Sequence, residues 1–171
     1  GLKESTLSEA LIGRGADPYL ESTDSIWKLH FELVQNSKNT TAHWFFSYFN
    51  ENVFDRTLVL TRIKEFLRLN EIKLPAEKTL LTDVNVTLAN YCSPSSMNRR
   101  EDDIGSPLSE LNLVRRGEDN RYLLNFGTKK SLSPELFLEC LVNFWESETV
   151  RLDQNINSFK LSSLLHEPLS P

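Results

Sequence analysis

The 171-residue sequence predicts a mainly α fold with a small β-ribbon, in which a helical domain contains a winged-helix-like unit. Apolar residues recur at helical spacing along most of the chain, whereas residues 121–126 alternate as a strand does. Ser106-Pro107 is a strong helix start, and the Gly117–Asn120 turn separates that short helix from the alternating run. A short helix followed by a two-stranded ribbon is typical of a winged helix. We therefore expect this unit over about residues 56–130.

The composition indicates one folded domain. Hydrophobic residues make up 39% of the sequence and aromatic residues 10%, which is enough for a single well-buried core. We expect a mainly helical domain over residues 1–150 and a loosely ordered tail over residues 151–171. Because the chain begins at Gly1 in mid-pattern, we also expect that it is a fragment of a longer protein and lacks an N-terminal part.

Two helices are expected in the first 35 residues. The first lies within residues 1–15 and is ended by Gly13 and Gly15. The second begins near Thr23–Ser25, where any of three residues could cap it, and runs to about Gln35. It should be largely buried, because its apolar stripe is broad: Ile26, Trp27, Leu29, His30, Leu33 and Val34.

The segment His43–Phe49 holds five aromatic residues in seven positions. Such density is rarely exposed unless it meets a partner, so the segment predicts a core helix or a strand-like plug. The alternative is a platform on which nucleobases stack.

Two further helices are expected at residues 55–70 and 78–91, and they would form the first pair of a helix-turn-helix arrangement. In the first of them Arg56 should face solvent. In the second, Leu81 should face inward together with Val84, Leu88 and Tyr91.

Two more helices complete the prediction. The short helix at Ser106-Pro107 should have an apolar face made by Leu108, Leu111 and Val114. Ser133-Pro134 repeats the same start signal for a last helix to about Glu148, which should pack centrally because it is apolar on more than one side.

Charge is distributed unevenly around a net value of −5. Residues 1–60 carry eight acids and five bases, residues 61–130 carry ten and twelve, and residues 131–171 carry six and two. Only the middle segment could present a basic face to nucleic acid. Its candidate phosphate-binding residues are Arg99, Arg100, Arg115, Arg116, Arg121, Lys129 and Lys130.

The ribbon residues in this set have an alternative interpretation, in which they form a solvated edge that keeps other strands away. Arg99 and Arg100 stand beside three acids in a polar loop, which favours a mobile, solvated link.

The sequence disfavours several other classes of functional site and of protein. No glycine-rich phosphate loop, GxSxG elbow or HExxH motif is present. Cys92 and Cys140 lack metal-ligand spacing and predict neither a zinc site nor a disulfide framework, so a cytoplasmic location is the simplest expectation. The sequence contains no run long enough to span a membrane.

Several segments resemble, in order, a bacterial family of uncharacterised domains. They begin with Gly15–Glu21 followed by Ile26–His30. The match continues through the aromatic segment that ends at Phe49-Asn50, Asp83-Val84 leading to Tyr91, Ser106–Leu111, and Phe144-Trp145. That family is encoded beside cysteine desulfurases and sulfurtransferases in DNA phosphorothioation gene cassettes. The member that the chain resembles is the B component of the single-strand (Ssp) type, a proposed DNA nickase.

The resemblance implies a DNA-binding, and by extension DNA-nicking, role in a phosphorothioate modification system that serves phage defence. The expected partners are double-stranded DNA and other phosphorothioation proteins. No cofactor is evident in the sequence, but nicking would need a nucleophile or a divalent cation such as Mg²⁺ or Mn²⁺. The candidate catalytic residues are Asp17, Glu21, Asp24 and His30, although a lone histidine on an apolar face is more often a hydrogen-bonded core residue. The alternative function is a noncatalytic scaffold that docks a desulfurase, sulfurtransferase or ATPase.

Overall fold

The computed structural model describes residues 17, 19–36, 40–92, 105–117 and 119–152, with only the backbone over 146–152. The expected first helix, the basic pair Arg99-Arg100 and all but two residues of the expected tail lie outside these ranges. Across the described part of the chain, no helix is both long and apolar enough to cross a membrane.

The described residues form α-helices around a small antiparallel sheet, as the sequence predicts. The helices are α1 (Thr23–Gln35), α2 (Thr40–Ser47), α3 (Arg56–Leu69), α4 (Glu77–Tyr91) and α5 (Pro134–Leu152), with a 3₁₀ helix at Pro107–Leu111; the strands are β1 (Val53–Phe54), β2 (Val114–Arg116) and β3 (Tyr122–Leu124).

Helix α1 is largely buried, which confirms the prediction from its apolar stripe. Ile26 and Val34 are fully inaccessible to solvent, and Trp27, His30 and Phe31 are buried beside them. These positions recur every three to four residues, so they share one face of the helix. That face packs on α2 and on the 3₁₀ helix.

The aromatic segment forms α2, which confirms a core helix rather than a stacking platform. Trp44 and Phe45 are buried. The Phe45 ring stacks on Phe49 with ring centres 5.2 Å apart. Most of this aromatic surface is therefore used inside the protein.

The sheet has three strands in the order β1-β3-β2, one strand more than the predicted ribbon. Strand β1 pairs Phe54 with Tyr122 and Val53 with Leu123. A two-residue strand carries no alternating pattern that a sequence can reveal, and only its pairing with β3 defines it. Asp55 follows directly and caps α3, accepting a hydrogen bond of 2.8 Å from the amide of Leu58.

Helix α4 buries Val84, Leu88 and Tyr91 as predicted, but Leu80 takes the inward position that was expected for Leu81. Leu80, Val84 and Leu88 are buried, whereas Leu81 is 39% exposed. The prediction that Leu81 faces inward is wrong, because one residue turns the side chain about 100° around the helix.

The two remaining helices also differ in detail from the prediction. The short helix is a 3₁₀ helix, and Val114 belongs to strand β2 instead of its apolar face. Helix α5 buries Leu136, Cys140 and Phe144 but leaves neighbouring apolar side chains such as Leu138 exposed. It therefore packs by one face, and the expectation of central packing is wrong.

Helix α5 begins as predicted. The Ser133 hydroxyl accepts a hydrogen bond of 3.3 Å from the Leu136 amide and donates one of 3.1 Å to Asp24. This cap therefore also connects the start of α5 to the first turn of α1.

Candidate nucleic-acid interface

The ribbon formed by β2 and β3 carries the basic residues singled out in the sequence. Asp119 and Asn120 both have positive φ angles, of 53° and 60°. Two successive residues of this kind give a turn whose twist matches a β-hairpin, and Asp and Asn tolerate that backbone well. Gly117 precedes this turn, and a Cβ there would lie 2.6 Å from a methyl carbon of Leu123, so a larger residue would have to displace that side chain. The turn thus joins β2, which carries Arg115 and Arg116, to Arg121 just before β3.

Arg115 and Arg116 project from opposite faces of the sheet. Successive side chains on a strand alternate, and directly paired residues share a face. Arg116 pairs with the buried Tyr122, which lies on the inner face toward the core. Arg115 pairs with the partly exposed Leu123 on the outer face. The structure therefore divides the predicted arginine pair between two surfaces.

A second arginine joins Arg116 on the inner face. The guanidinium carbon of Arg56, the first residue of α3, lies 5.9 Å from the centre of the Tyr122 ring. Burial raises the pKa of the Cys92 thiol to about 11, and the charges of Arg116 and Arg56 oppose that rise. Both arginines are thus close to the C-terminal end of α4. No pattern in the sequence indicates that Arg56 lies beside the ribbon, because only the pairing of β1 with β3 brings it there.

Lys129 has an internal role in the structure. Its ammonium donates hydrogen bonds to the carbonyl oxygens of Asn125 and Gly127, the latter at 2.7 Å. Burial, together with the charge of Arg115, lowers the pKa of Lys129. Arg121 and Lys130 are exposed.

Helix α4 presents a surface with few cations. Its exposed side chains include Leu81 and Val86, the latter 53% exposed, beside Asp83 and Lys78. A groove of about 390 Å³ runs along this helix. Apolar side chains such as Leu33, Ala42 and Leu67 contribute to its wall, together with Lys73, Asp83 and Asn90.

The three candidate catalytic carboxylates make separate local contacts. Asp17 accepts hydrogen bonds from the amides of Ser22 at 2.7 Å and Glu21 at 3.0 Å. These bonds lower the pKa of the Asp17 carboxyl. Asp24 accepts the hydroxyl of Ser133, while the Glu21 side chain is exposed.

His30 is buried in an aromatic environment. Its Nδ1 atom lies 2.8 Å from the hydroxyl of Tyr91. The rings of Trp27, Phe31 and Phe46 surround it with centres 5.0 to 5.6 Å away. Burial lowers the pKa of His30 to about 3. The residue is therefore neutral at physiological pH.

The candidate catalytic residues do not form a metal-binding group. Among the described residues, no set of three or more His, Cys, Asp or Glu side chains could hold a metal ion. The donor set that the sequence suggested for Mg²⁺ or Mn²⁺ is therefore not assembled by Asp17, Glu21, Asp24 and His30, and we derive no metal-dependent step from it.

One protein family and two solved structures match this chain. A model of a family described as "Protein of unknown function (DUF4007)" matches residues 2–171. A crystal structure of SspB with bound magnesium ion has a TM-score of 0.76 at 22% identity, covering 96% of this chain. A second SspB crystal structure has a TM-score of 0.70 at 25% identity, covering 91% of this chain. No curated protein matches the sequence.

The chain spans about half the length of the SspB chains, 49% and 46% respectively.

Proposed function

The chain belongs to the DUF4007 family, and we propose that it is a DNA-binding component of a bacterial DNA phosphorothioate modification system that serves phage defence. The sequence resemblance to the B component of Ssp-type cassettes supports this assignment. The likeness of the fold to SspB, at 25% identity in one structure, also supports it. The activity proposed here concerns the described domain and not the whole of a longer protein.

The observation that carries the proposal is the arrangement of cationic side chains on the ribbon. Arg115, Arg116 and Arg121 are exposed. Within the described part of the chain, none of the three forms an ion pair with a carboxylate. Exposed guanidinium groups that have no protein countercharge are suited to bind phosphates, with release of counterions from DNA.

The order of elements supports the same proposal. Strand β1, helices α3 and α4, and the β2-β3 ribbon follow one another in the chain, and β3 lies between β1 and β2 in the sheet. We interpret this unit as a winged helix, in which the connection from β2 to β3, with Gly117, Asp119 and Asn120, is the wing. In helix-turn-helix proteins the second helix enters the major groove, a position that α4 would occupy here. The few cations on α4 favour contact through the wing instead.

The first experiment measures a gel shift and plasmid nicking in the same samples. Duplex DNA should be retarded, and the affinity should fall steeply as salt rises. Arg115→Gln and Arg121→Gln should each weaken binding across unrelated sequences, while Arg68→Gln, which removes the same charge from the far end of α3, should not. Salt-independent binding, or equal affinity in all variants, would contradict a wing that holds phosphates.

Nicking is the finer part of the proposal and has its own readout. Supercoiled plasmid is incubated with and without Mg²⁺ or Mn²⁺, and the fraction converted to open-circular plasmid is measured on a gel. Metal-dependent open circles that disappear in Asp17→Asn, with the melting temperature unchanged, would assign nicking to this domain. A gel shift without open circles would leave a DNA-binding module.

A second candidate function is a noncatalytic scaffold for another phosphorothioation protein, such as a desulfurase, sulfurtransferase or ATPase. The exposed Val86 of α4, which lines the groove, favours it. Val86→Asn would weaken association with a purified partner in a salt-insensitive manner while leaving the DNA shift intact. Loss of the DNA shift in that variant would instead place α4 on DNA.

A further inference from the structure

An arginine of α3 and an arginine of β2 lie on the same face of the sheet as one tyrosine. Arg56 begins α3, and its guanidinium carbon lies 5.9 Å from the centre of the Tyr122 ring. Arg116 is directly opposite Tyr122 on the strand ladder, so its side chain leaves the sheet on the same face. The ring itself is buried and stacks on Phe54, with ring centres 5.6 Å apart. The buried tyrosine therefore has one exposed arginine over its ring and a second exposed arginine opposite it on the neighbouring strand.

Neither arginine has a countercharge among the described residues. The ion pairs of the described chain involve Arg62, Lys28 and Lys64 but neither Arg56 nor Arg116. The acid next to Arg56 in sequence, Asp55, accepts the Leu58 amide as the cap of α3.

The hydrogen-bond partner of Arg116 is also neutral. Its Nη2 atom donates to the amide oxygen of Asn120 at 3.2 Å. Two cations on one face of the sheet, neither of them ion-paired with an acid among the described residues, create a local positive potential that attracts an anion.

We propose that Arg56 and Arg116 together bind one phosphate of the DNA backbone, with Tyr122 orienting Arg56. This inference rests on the proposed DNA-binding function and adds a contact from α3 that the ribbon alone does not supply. A guanidinium presents a planar fork of N–H donors that matches the oxygens of a phosphate. Stacking on a fixed ring reduces the rotamer freedom that Arg56 loses when it binds. Arg115, on the opposite face, would contact a different phosphate.

The alternative is that Arg56 stacks on Tyr122 only to stabilise the fold. The two roles differ in what a substitution changes, because a structural arginine affects unfolding whereas a phosphate contact affects DNA affinity and its dependence on salt. Arg56→Lys keeps the positive charge but loses the planar fork of N–H donors. It therefore distinguishes the two roles of Arg56 further, and it remains informative if Arg56→Gln unfolds.

The test measures the fluorescence anisotropy of a labelled duplex over a series of salt concentrations. Arg56→Gln and Arg116→Gln should each weaken binding several-fold, and the variant that lacks both arginines should reduce the slope of log affinity against log salt by about one, because one phosphate contact is then lost. Because the two arginines share a phosphate, the double variant should lose less than the product of the single losses. The variant that combines Arg56→Gln with Arg115→Gln should lose DNA affinity by the full product of the two single losses. Arg56→Lys should retain part of the wild-type affinity. Arg68→Gln is the control for charge removal from α3.

Cys92 supplies a readout that does not depend on affinity. In a Cys140→Ser background, saturating duplex should slow the reaction of Cys92 with N-ethylmaleimide several-fold, since DNA at the two arginines would cover the thiol. The same duplex should give no protection to the Arg56→Gln, Arg116→Gln double variant. Inorganic phosphate alone, at millimolar concentration, should protect weakly or not at all.

Four results would overturn the inference. Wild-type affinity in Arg56→Gln, with weaker binding in Arg115→Gln and Arg121→Gln, would remove the Arg56 contact and leave the DNA-binding function intact. If the double variant Arg56→Gln, Arg116→Gln lost DNA affinity by the full product of the two single losses, the arginines would bind two separate phosphates. Protection of Cys92 by inorganic phosphate but not by duplex would indicate a site for a small anion. Absence of salt-dependent binding in the wild-type protein would overturn both this inference and the proposed function.

Discussion

His30 and Tyr91 share a buried hydrogen bond of 2.8 Å that joins α1 to α4 across the core. The two residues lie far apart in the sequence, and both are almost fully inaccessible to solvent. Desolvation raises the pKa of Tyr91 and lowers that of His30, so both side chains are neutral. The pair is a polar contact within an aromatic core, and its energetics can be measured directly.

Tyr91→Phe should lower the free energy of unfolding by roughly 1 to 3 kcal/mol, because it leaves a buried imidazole nitrogen without its partner. Urea denaturation of the two proteins measures the difference. Tyr48→Phe, which removes the hydroxyl of a tyrosine that is 49% exposed, is the matched control and should change stability by less than about 0.5 kcal/mol. Equal stability of Tyr91→Phe and the wild type would show that the hydrogen bond contributes nothing net.

His30 should also make stability fall in mild acid. Its pKa is about 3 in the folded protein and 6.5 in the unfolded chain, so the unfolded state binds the extra proton first as pH decreases. The contribution is fully present above pH 6.5 and is lost between pH 6.5 and 3, at roughly 1.4 kcal/mol per pH unit.

Denaturation midpoints at a series of pH values measure this slope. Subtracting the same series for the double variant His30→Phe, Tyr91→Phe isolates it from carboxyl groups such as Asp17, whose pKa is also shifted. A difference between the two series that is flat from pH 6 to 4 would be incompatible with a neutral, buried His30.

Much of the helical architecture could be predicted because each helix carries a local signal. The apolar periodicity of α1, the aromatic density of α2 and the cap at Ser133 each lie within a few residues. Strand β1 could not be predicted, since two residues become a strand only through pairing with β3, far along the chain. The position of Arg56 beside Tyr122 depends on that same pairing.

The candidate site was predictable by residue type but not by contact. Sequence identified the ribbon arginines, yet the alternation of strand side chains is what separates Arg115 from Arg116. The charge pattern grouped Lys129 with Lys130, although the ammonium of Lys129 donates hydrogen bonds to carbonyl oxygens of the loop. Burial and hydrogen bonding of a long side chain depend on tertiary structure, which a charge pattern does not encode.

Leu80 and Leu81 should respond oppositely to substitution although they are adjacent. Leu80 is 2% exposed, and Leu80→Ala should lower the free energy of unfolding by about 2 to 5 kcal/mol through a lost core contact and a cavity. Leu81→Ala, at a position that is 39% exposed, should cost less than about 1 kcal/mol. Chemical denaturation compares them, and similar losses at both positions would contradict the burial of Leu80 and the exposure of Leu81.

Lys129 and Lys130 should separate stability from DNA affinity. Lys129→Met removes two hydrogen bonds to the carbonyls of Asn125 and Gly127 and should lower the free energy of unfolding by roughly 1 to 2 kcal/mol. Lys130→Met, at an exposed position, should leave stability nearly unchanged and, if the ribbon binds DNA, reduce affinity at low salt. Unfolding and anisotropy measurements on both variants test the distinction. The reverse assignment of effects would show that the ammonium of Lys129 is available to phosphate.

Cys92 should have an unusual pH profile for alkylation. Burial raises its pKa from the ordinary 9.0 to about 11. Because the thiolate is the reactive form, the rate with iodoacetamide should rise about tenfold per pH unit through pH 9 and continue to rise at pH 10. In the wild type, Arg116 and Arg56 oppose the shift, so Arg56→Gln and Arg116→Gln should slow the reaction at any fixed pH in this range. The measurement uses a Cys140→Ser background, which removes the second, buried thiol. A rate that levels off near pH 9 would contradict the raised pKa of Cys92. A rate that is unaffected when both arginines are replaced would show that their charges do not act on the thiol.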